Sequence, residues 1–134
     1  MKDFQRSKLY KWEELEYGWD DTILSLEECQ SYCITLIKGV TVTDGRGRRT
    51  PCAKTHFLRR EIALPRFARK KWIVIHEVAH FLTHDKHGPK YVRAYIDILA
   101  REYGRSIESL VASATEYGLE IAAPPTPNKQ HNIY

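Results

Sequence analysis

An α+β fold, with a small sheet packed against helices, is what this sequence predicts, and three observations predict it. Apolar residues recur at helical spacing in several segments bounded by helix start and stop signals. Two strand-like runs, the β-branched residues 40–43 and residues 56–64, flank the turn-rich stretch D-G-R-G-R-R-T-P. Residues 66–83 are apolar on nearly every side, the pattern of a helix buried at the centre of a domain.

Taken in order, residues 4–17 carry Leu9, Trp12 and Leu15 interleaved with Glu and Lys, which predicts an amphipathic helix. Ser25-x-x-Glu28 is a capping box. Leu26, Cys29, Tyr32, Cys33, Leu36 and Ile37 follow at helical spacing, and Gly39 ends the run. Residues 40–43 and 56–64 are expected to pair as a hairpin across the glycine-rich loop, the second strand being stopped by Pro65. After the apolar helix, Gly88-Pro89 breaks the chain and starts a helix carrying Val92, Tyr95, Ile96, Leu99 and Tyr103, closed by Gly104. Residues 106–117 repeat the pattern through Ile107, Leu110, Val111 and Ala114, with Gly118 beyond. Residues 123–134, rich in proline and polar side chains, are expected to form an extended tail. A chain of 134 residues supports one modest core, so a single domain over 1–134 is expected.

With 43% hydrophobic and 28% charged residues, the composition is that of a water-soluble globular domain. The longest apolar run, Trp72 to Ile75, is far too short to span a bilayer, so no membrane partner is expected. The start, M-K-D-F-Q-R-S-K-L-Y-K-W, has no apolar core of a secretory leader. The three cysteines include no C-x-x-C pair, and Cys29 and Cys33, four apart on a helix, stack as small apolar groups rather than bridge. These features predict a cytoplasmic protein.

Four of the six histidines fall in W-I-V-I-H-E-V-A-H-F-L-T-H-D-K-H-G-P-K-Y, residues 72–91. His76-Glu77-Val78-Ala79-His80 is the pattern H-E-x-x-H. On a helix, residues four apart lie one turn above each other, so both imidazoles reach one ion. Glu77 projects from the same turn as a general base toward water that a metal has made acidic. Shuffling this composition would produce the pattern roughly two times in a hundred, and here it falls on the most apolar helix, where charged groups are costly unless paired or metal-bound. Histidines that merely hydrogen-bond in the core are the alternative.

A third protein ligand plus water would complete an open tetrahedral catalytic site. His84 continues the series, but two turns, about 12 Å of helix rise, separate it from His76. His87 lies just before Gly88-Pro89, where the chain can turn back. The metzincin spacing would put a ligand at Lys86, and its glycine is missing. Asp97 and Glu102 on the following helix, and Asp85 in the loop, are further candidates.

H-E-V-A-H followed by His87-Gly88-Pro89-Lys90-Tyr91 resembles the SprT-like zinc metalloproteases, in which the histidine of H-G-P is the third zinc ligand. That resemblance implies a compact zincin-like domain with its small sheet packed on the buried H-E-x-x-H helix. It implies zinc held by His76, His80 and His87, with Glu77 as catalytic base. Only six residues separate His80 from His87, fewer than those enzymes usually have. Q-R-S-K-L-Y-K-W-E, I-A-L-P-R-F-A-R, H-E-V-A-H, H-G-P-K-Y and Y-G-L-E-I are similar to segments of a family of small metallohydrolases of actinobacteria and their phages. This second resemblance covers most of the chain and implies zinc and hydrolysis without naming a substrate. By resemblance to small zincins, residues 56–64 are the strand that holds an extended peptide substrate. Tyr91 either donates to an oxyanion or packs behind the site, and His84 is a further candidate for the electrophilic role.

From Arg46 to Lys71 ten basic residues (46, 48, 49, 54, 59, 60, 66, 69, 70 and 71) face one acid, Glu61, in a chain of net charge only +4. Such a cluster is either a solvated basic face or a surface for an anionic partner such as nucleic acid. SprT-like enzymes act on proteins bound to DNA, which makes nucleic acid the partner to test. The expected function is therefore a zinc-dependent metallopeptidase acting on protein or peptide. The competing readings are a nucleic-acid- or protein-binding module with a structural metal, and a metal-dependent nuclease.

Overall fold

The computed structural model describes residues 3–45 and 52–125. Within them, five helices enclose a three-stranded mixed sheet, the expected α+β class. No described helix is long and apolar enough to cross a membrane. Of the basic cluster, Arg46, Arg48 and Arg49 lie outside the described residues, as do residues 126–134 of the expected tail.

Helix α1 (Arg6–Tyr17) buries Leu9, Trp12, Glu13 and Tyr17. Successive residues advance about 100° around a helix, so these four share a stripe while Leu15 falls roughly opposite and is 59% exposed. The expectation that Leu15 helps form the buried face is corrected: a carboxylate, Glu13, holds that place. Helix α2 (Leu26–Leu36) begins with the capping box as expected. The Ser25 hydroxyl accepts from the Glu28 N–H, and the Glu28 carboxylate accepts from the Ser25 N–H. Cys29 and Cys33 are buried, unbridged thiols, and burial pushes the Cys33 thiol up to about 11. Gly39, at φ +76°, then turns the chain into the sheet.

The strand pairing differs from the expected hairpin. Strands β1 (Thr41–Thr43), β2 (Lys54–His56) and β3 (Glu61–Ala63) lie in the order β1-β3-β2. β1 runs parallel to β3, with Val42 opposite Ile62, and β2 pairs antiparallel with β3, with Thr55 opposite Ile62. The run 56–64 is thus not one strand. A turn at Phe57–Arg60, closed by the Arg60 N–H to the Phe57 carbonyl, splits it, with Arg60 at φ 54°. No glycine or proline marks this turn, which is why the composition conceals it. The two edges of the sheet also differ. The Gln30 amide covers the outer edge of β1, donating to the Val40 carbonyl and accepting from the Val42 N–H. β2 pairs with β3 alone among the described strands, and its residues Lys54 and Thr55 border a cleft.

The expected helix over 66–83 is two elements. A 3-10 turn (Arg66–Ala68) comes first, and Arg69 and Lys70 leave helical geometry before helix α3 (Lys71–Leu82). The Arg69 side chain donates to the Leu64 carbonyl and its own carbonyl accepts from the Leu24 N–H, which fixes the break. α3 lies against α2, β2 and helix α4 (Pro89–Tyr103). It buries Trp72, Val74, Ile75, His76, Glu77, Val78, Ala79 and Phe81, so it is the central helix its apolar sequence predicts. α4 ends at Gly104 in the left-handed conformation. Helix α5 (Ile107–Glu116) starts at Ser106, whose hydroxyl accepts from the Ser109 N–H. The chain beyond it stays attached: the Gln5 side chain pairs with the Glu120 backbone, and the Ala122 N–H donates to the Pro89 carbonyl.

Several basic residues of the cluster have structural duties. Arg60 donates to the Lys38 carbonyl and lies over the Phe81 ring. Lys71 donates to the Glu102 carbonyl in the last turn of α4, where a cation complements the helix dipole, and sits 4.4 Å from the centre of the Tyr103 ring.

Candidate metal centre

His76 and His80 come from one face of α3, with ring centres 5.4 Å apart. The loop after α3 then carries His87 back over them, its ring centre 5.3 Å from that of His76 and 4.8 Å from that of His80. Two features shape this return. Lys86 sits at φ 58°, and the Asp85 carboxylate accepts from the Lys90 and Tyr91 N–H groups, capping the start of α4. Gly88 is required by space: a Cβ there would stand 2.6 Å from Asp85 Oδ2 and 2.9 Å from the Asp85 carbonyl oxygen. The H-G-P sequence is thus the tight corner that delivers the histidine.

One ring nitrogen from each of His76, His80 and His87 lies within 4.8 Å of the others, a group able to hold a metal ion. One pair of these donors meets a simple test of fit. A tetrahedral ion with metal–nitrogen bonds of about 2.0–2.1 Å holds its nitrogens about 3.3–3.4 Å apart. His76 Nε2 and His87 Nε2 are 3.3 Å apart and face each other. Among the described residues no carboxylate or thiolate joins the group, so three protein ligands leave a fourth position open.

The other candidates are engaged elsewhere. Asp97 pairs with Arg93, and Glu102 accepts from the Tyr32 hydroxyl and from Arg101. Asp85 caps α4. His84 is exposed, edge-on to the Phe57 ring at 5.2 Å, on the wall of the cleft. Tyr91 packs behind the metal group: its ring stacks on His80 at 4.5 Å and its hydroxyl donates to the His76 carbonyl.

The three imidazoles open onto a cleft of about 340 Å³ lined also by Glu77, Thr55, Lys54, Phe57, His84 and Tyr10. Glu77 is buried, and Thr55 Oγ1 lies 2.8 Å from its Oε1 and 2.9 Å from its carbonyl oxygen. Burial raises the Glu77 pKa, opposed by the charge of His76 and the Thr55 hydrogen bond. That direction suits a group that must take up a proton.

Residues far away in the chain, outside every motif of the histidine segment, complete the surroundings. His76 Nδ1 donates to Glu13 Oε1 at 2.8 Å, and the Tyr95 hydroxyl donates to the same oxygen at 2.8 Å. His87 Nδ1 donates to Asp3 Oδ2 at 2.7 Å, and the Gln5 amide donates to the His87 carbonyl. A carboxylate only accepts, so the Nδ1 atoms carry the protons and Nε2 is left toward the ion. For Glu13 a signal was present, since it shares the helical stripe of Leu9 and Trp12. Nothing local marks Asp3.

Burial by itself favours a neutral His76 ring, but the charge and hydrogen bond of Glu13, with the charge of Glu77, reverse this and hold its pKa up at about 9. His80 goes the other way: burial, then the charges of His76 and His87, push it down to about 3. His87 is lowered by burial, against the pull of its Asp3 hydrogen bond. Comparison with family models, with curated proteins and with solved structures finds no match to this chain, so the functional reading rests on the site itself.

Proposed function

We propose that this chain is a zinc-dependent hydrolase, a zincin-like metallopeptidase that cleaves peptide bonds with Glu77 as general base. The observation that carries this reading is the three-histidine group with an open fourth position beside the Glu77 carboxylate in one cleft. Three imidazoles in this spacing suit zinc, which would acidify a water molecule and polarise the scissile carbonyl. His76, His80 and His87 would hold it. Glu77, kept in place by Thr55 and shifted toward proton uptake, would accept the water proton and pass it to the leaving amine.

The edge strand β2, whose Thr55 touches Glu77, is the natural rail for an extended peptide. The run expected in this role, over 56–64, is divided: β3 lies inside the sheet, and β2 borders the cleft. A nucleic-acid partner is the weaker reading. Arg60, Arg69 and Lys71 already serve backbone carbonyls, so the basic stretch is partly an internal scaffold.

Elemental analysis of unchelated protein should find about one zinc per chain. On a panel of peptides and single- and double-stranded nucleic acids, hydrolysis should be confined to peptides. Glu77→Gln should lose about 10²–10⁴-fold in kcat while keeping zinc and the melting temperature of the parent. Equal turnover by the variant and the parent would falsify the mechanism, and cleavage of nucleic acid alone would replace peptidase with nuclease.

A further inference from the structure

Asp3, Gln5 and Glu13 are not ligands, yet all three converge on the metal group. We propose that the N-terminal segment from Asp3 to Glu13 belongs to the metal centre. In it Glu13 and Asp3 are positioning residues that aim His76 Nε2 and His87 Nε2 at the ion, so that docking of α1 and metal affinity are coupled. This rests on the three-histidine site described above and adds the part of the chain that tunes it.

Glu13 occupies the middle of the apolar stripe of α1, a place where an aliphatic side chain would pack at no electrostatic cost. Both donors that reach its Oε1, His76 Nδ1 and the Tyr95 hydroxyl, belong to the metal helix and the helix packed on it. The Asp3 carboxylate is still more specific. Its Oδ2 bonds His87 Nδ1, while its Oδ1 is buried without a hydrogen-bond partner among the described residues, so the ring is its anchor. Gln5 holds the same histidine by its carbonyl and ties it to Glu120. The segment therefore grips His87 at the ring and at the backbone. Among the described residues no carboxylate bonds the His80 ring, which stacks on Tyr91.

Two physical consequences follow. Each Nδ1–H···carboxylate bond fixes one tautomer and one ring orientation, which raises the basicity of the ligating nitrogen. A divalent ion on three neutral imidazoles also brings a charge of +2 into the cleft. Glu13 and Asp3 balance it from behind the ligands without filling the open position. Coupling is reciprocal: what α1 adds to metal affinity, the metal adds to the docking of α1.

The test is zinc affinity, measured by competition with a chromophoric chelator, together with the visible spectrum of the cobalt-substituted protein. Glu13→Gln and Asp3→Asn keep the shape of each side chain and remove its charge. A divalent ion feels that charge more than a proton on His76 does, so zinc affinity should fall about 10–100-fold in Glu13→Gln and about tenfold in Asp3→Asn. The cobalt spectrum should change in both. The control is Glu16→Gln. Glu16 holds α1 to Ser113 and Arg105 without touching a ligand, so this variant loosens α1 and, through the coupling, should lower zinc affinity far less than either carboxylate variant while leaving the cobalt spectrum as in the parent. Asp3 lies at the edge of the fold, so Asp3→Asn reports even where Glu13→Gln folds poorly. Parental affinity in both carboxylate variants overturns the inference and leaves the three-histidine site standing. An equal loss in Glu16→Gln also overturns it, since α1 would then act by packing alone. A parent chain that binds neither zinc nor cobalt overturns the metal reading itself.

Discussion

His76 and His80 are the same residue type on the same helix, one turn apart and both facing the cleft, yet their surroundings drive them in opposite directions. Glu13 and the Tyr91 hydroxyl hold His76 at its ring and its backbone, and its pKa is pushed to about 9. His80 is pressed against the Tyr91 ring with no acid bonded to it among the described residues, and burial, with the charges of His76 and His87, pushes its pKa down to about 3. Without metal, near neutral pH, His76 thus carries a proton, while burial lowers both His80 and His87. The proton on His76 Nε2 points at His87 Nε2, 3.3 Å away, into the space between ligands. One proton stands where the ion would. The lesson is that the H-E-x-x-H spacing makes two ligands equivalent in reach, whereas the packing around them makes one a charged, clamped group and the other a neutral, stacked one.

Deleting each ring should separate the two histidines most strongly. His76→Ala and His80→Ala should both abolish stoichiometric zinc binding. In chelator, however, His76→Ala should cost about 3 kcal/mol more in urea unfolding, because Glu13 loses one of its two donors and stays buried. Equal stabilities of the two variants would mean that the Glu13–His76 pair contributes no more than the stacking of His80.

The next effect is on pH. Zinc must displace the His76 proton, so apparent zinc affinity should fall about tenfold for each pH unit below about 9, roughly a hundredfold from about pH 8 to about pH 6. Metal-free stability should show both signs. The pKa of His76 is raised above its ordinary value of 6.5, so its contribution is complete below 6.5 and is lost as pH rises through about 9. The pKa of His80 is depressed, so its neutral form resists protonation and stability falls as pH drops from 6.5 toward about 3. Chelator-treated protein unfolded in urea across this range should be most stable between the two limbs. Monotonic stability through the range would sink the opposed assignment.

The smallest effect comes from Tyr91, which touches both histidines. Tyr91→Phe removes the bond to the His76 carbonyl and keeps the ring on His80, so it should cost about 1 kcal/mol of stability. Zinc affinity should change less than in Glu13→Gln. A larger loss of zinc affinity than in that variant would move the decisive support from α1 to α4.

What could be seen in advance follows the range of the interactions. The Ser25–Glu28 box, Pro89 at the start of α4 and the Gly104 stop are all signals confined to a turn of chain, and each is where its residues predict. The H-E-x-x-H pair obeys the same local rule, with four residues and one helical turn. Errors arise where a local signal is silent or ambiguous. The turn at Phe57–Arg60 has no glycine or proline, so β2 and β3 looked like one strand, and the parallel pairing of β1 with β3 joins residues twenty apart. No glycine or proline divides residues 66–83, but Arg69 breaks the expected helix through bonds to Leu64 and Leu24 that no periodicity records.

By itself, then, the sequence determined two imidazoles and a carboxylate on one turn of a buried helix, because a helix converts spacing into direction without help from the rest of the chain. The H-G-P segment pointed to His87 by resemblance, but only the tertiary structure brings that ring onto the pair and sets the acids behind it. Glu13 and Asp3 reach His76 and His87 across 63 and 84 residues, and such distances are closed by packing of the whole core rather than by any repeat in the chain.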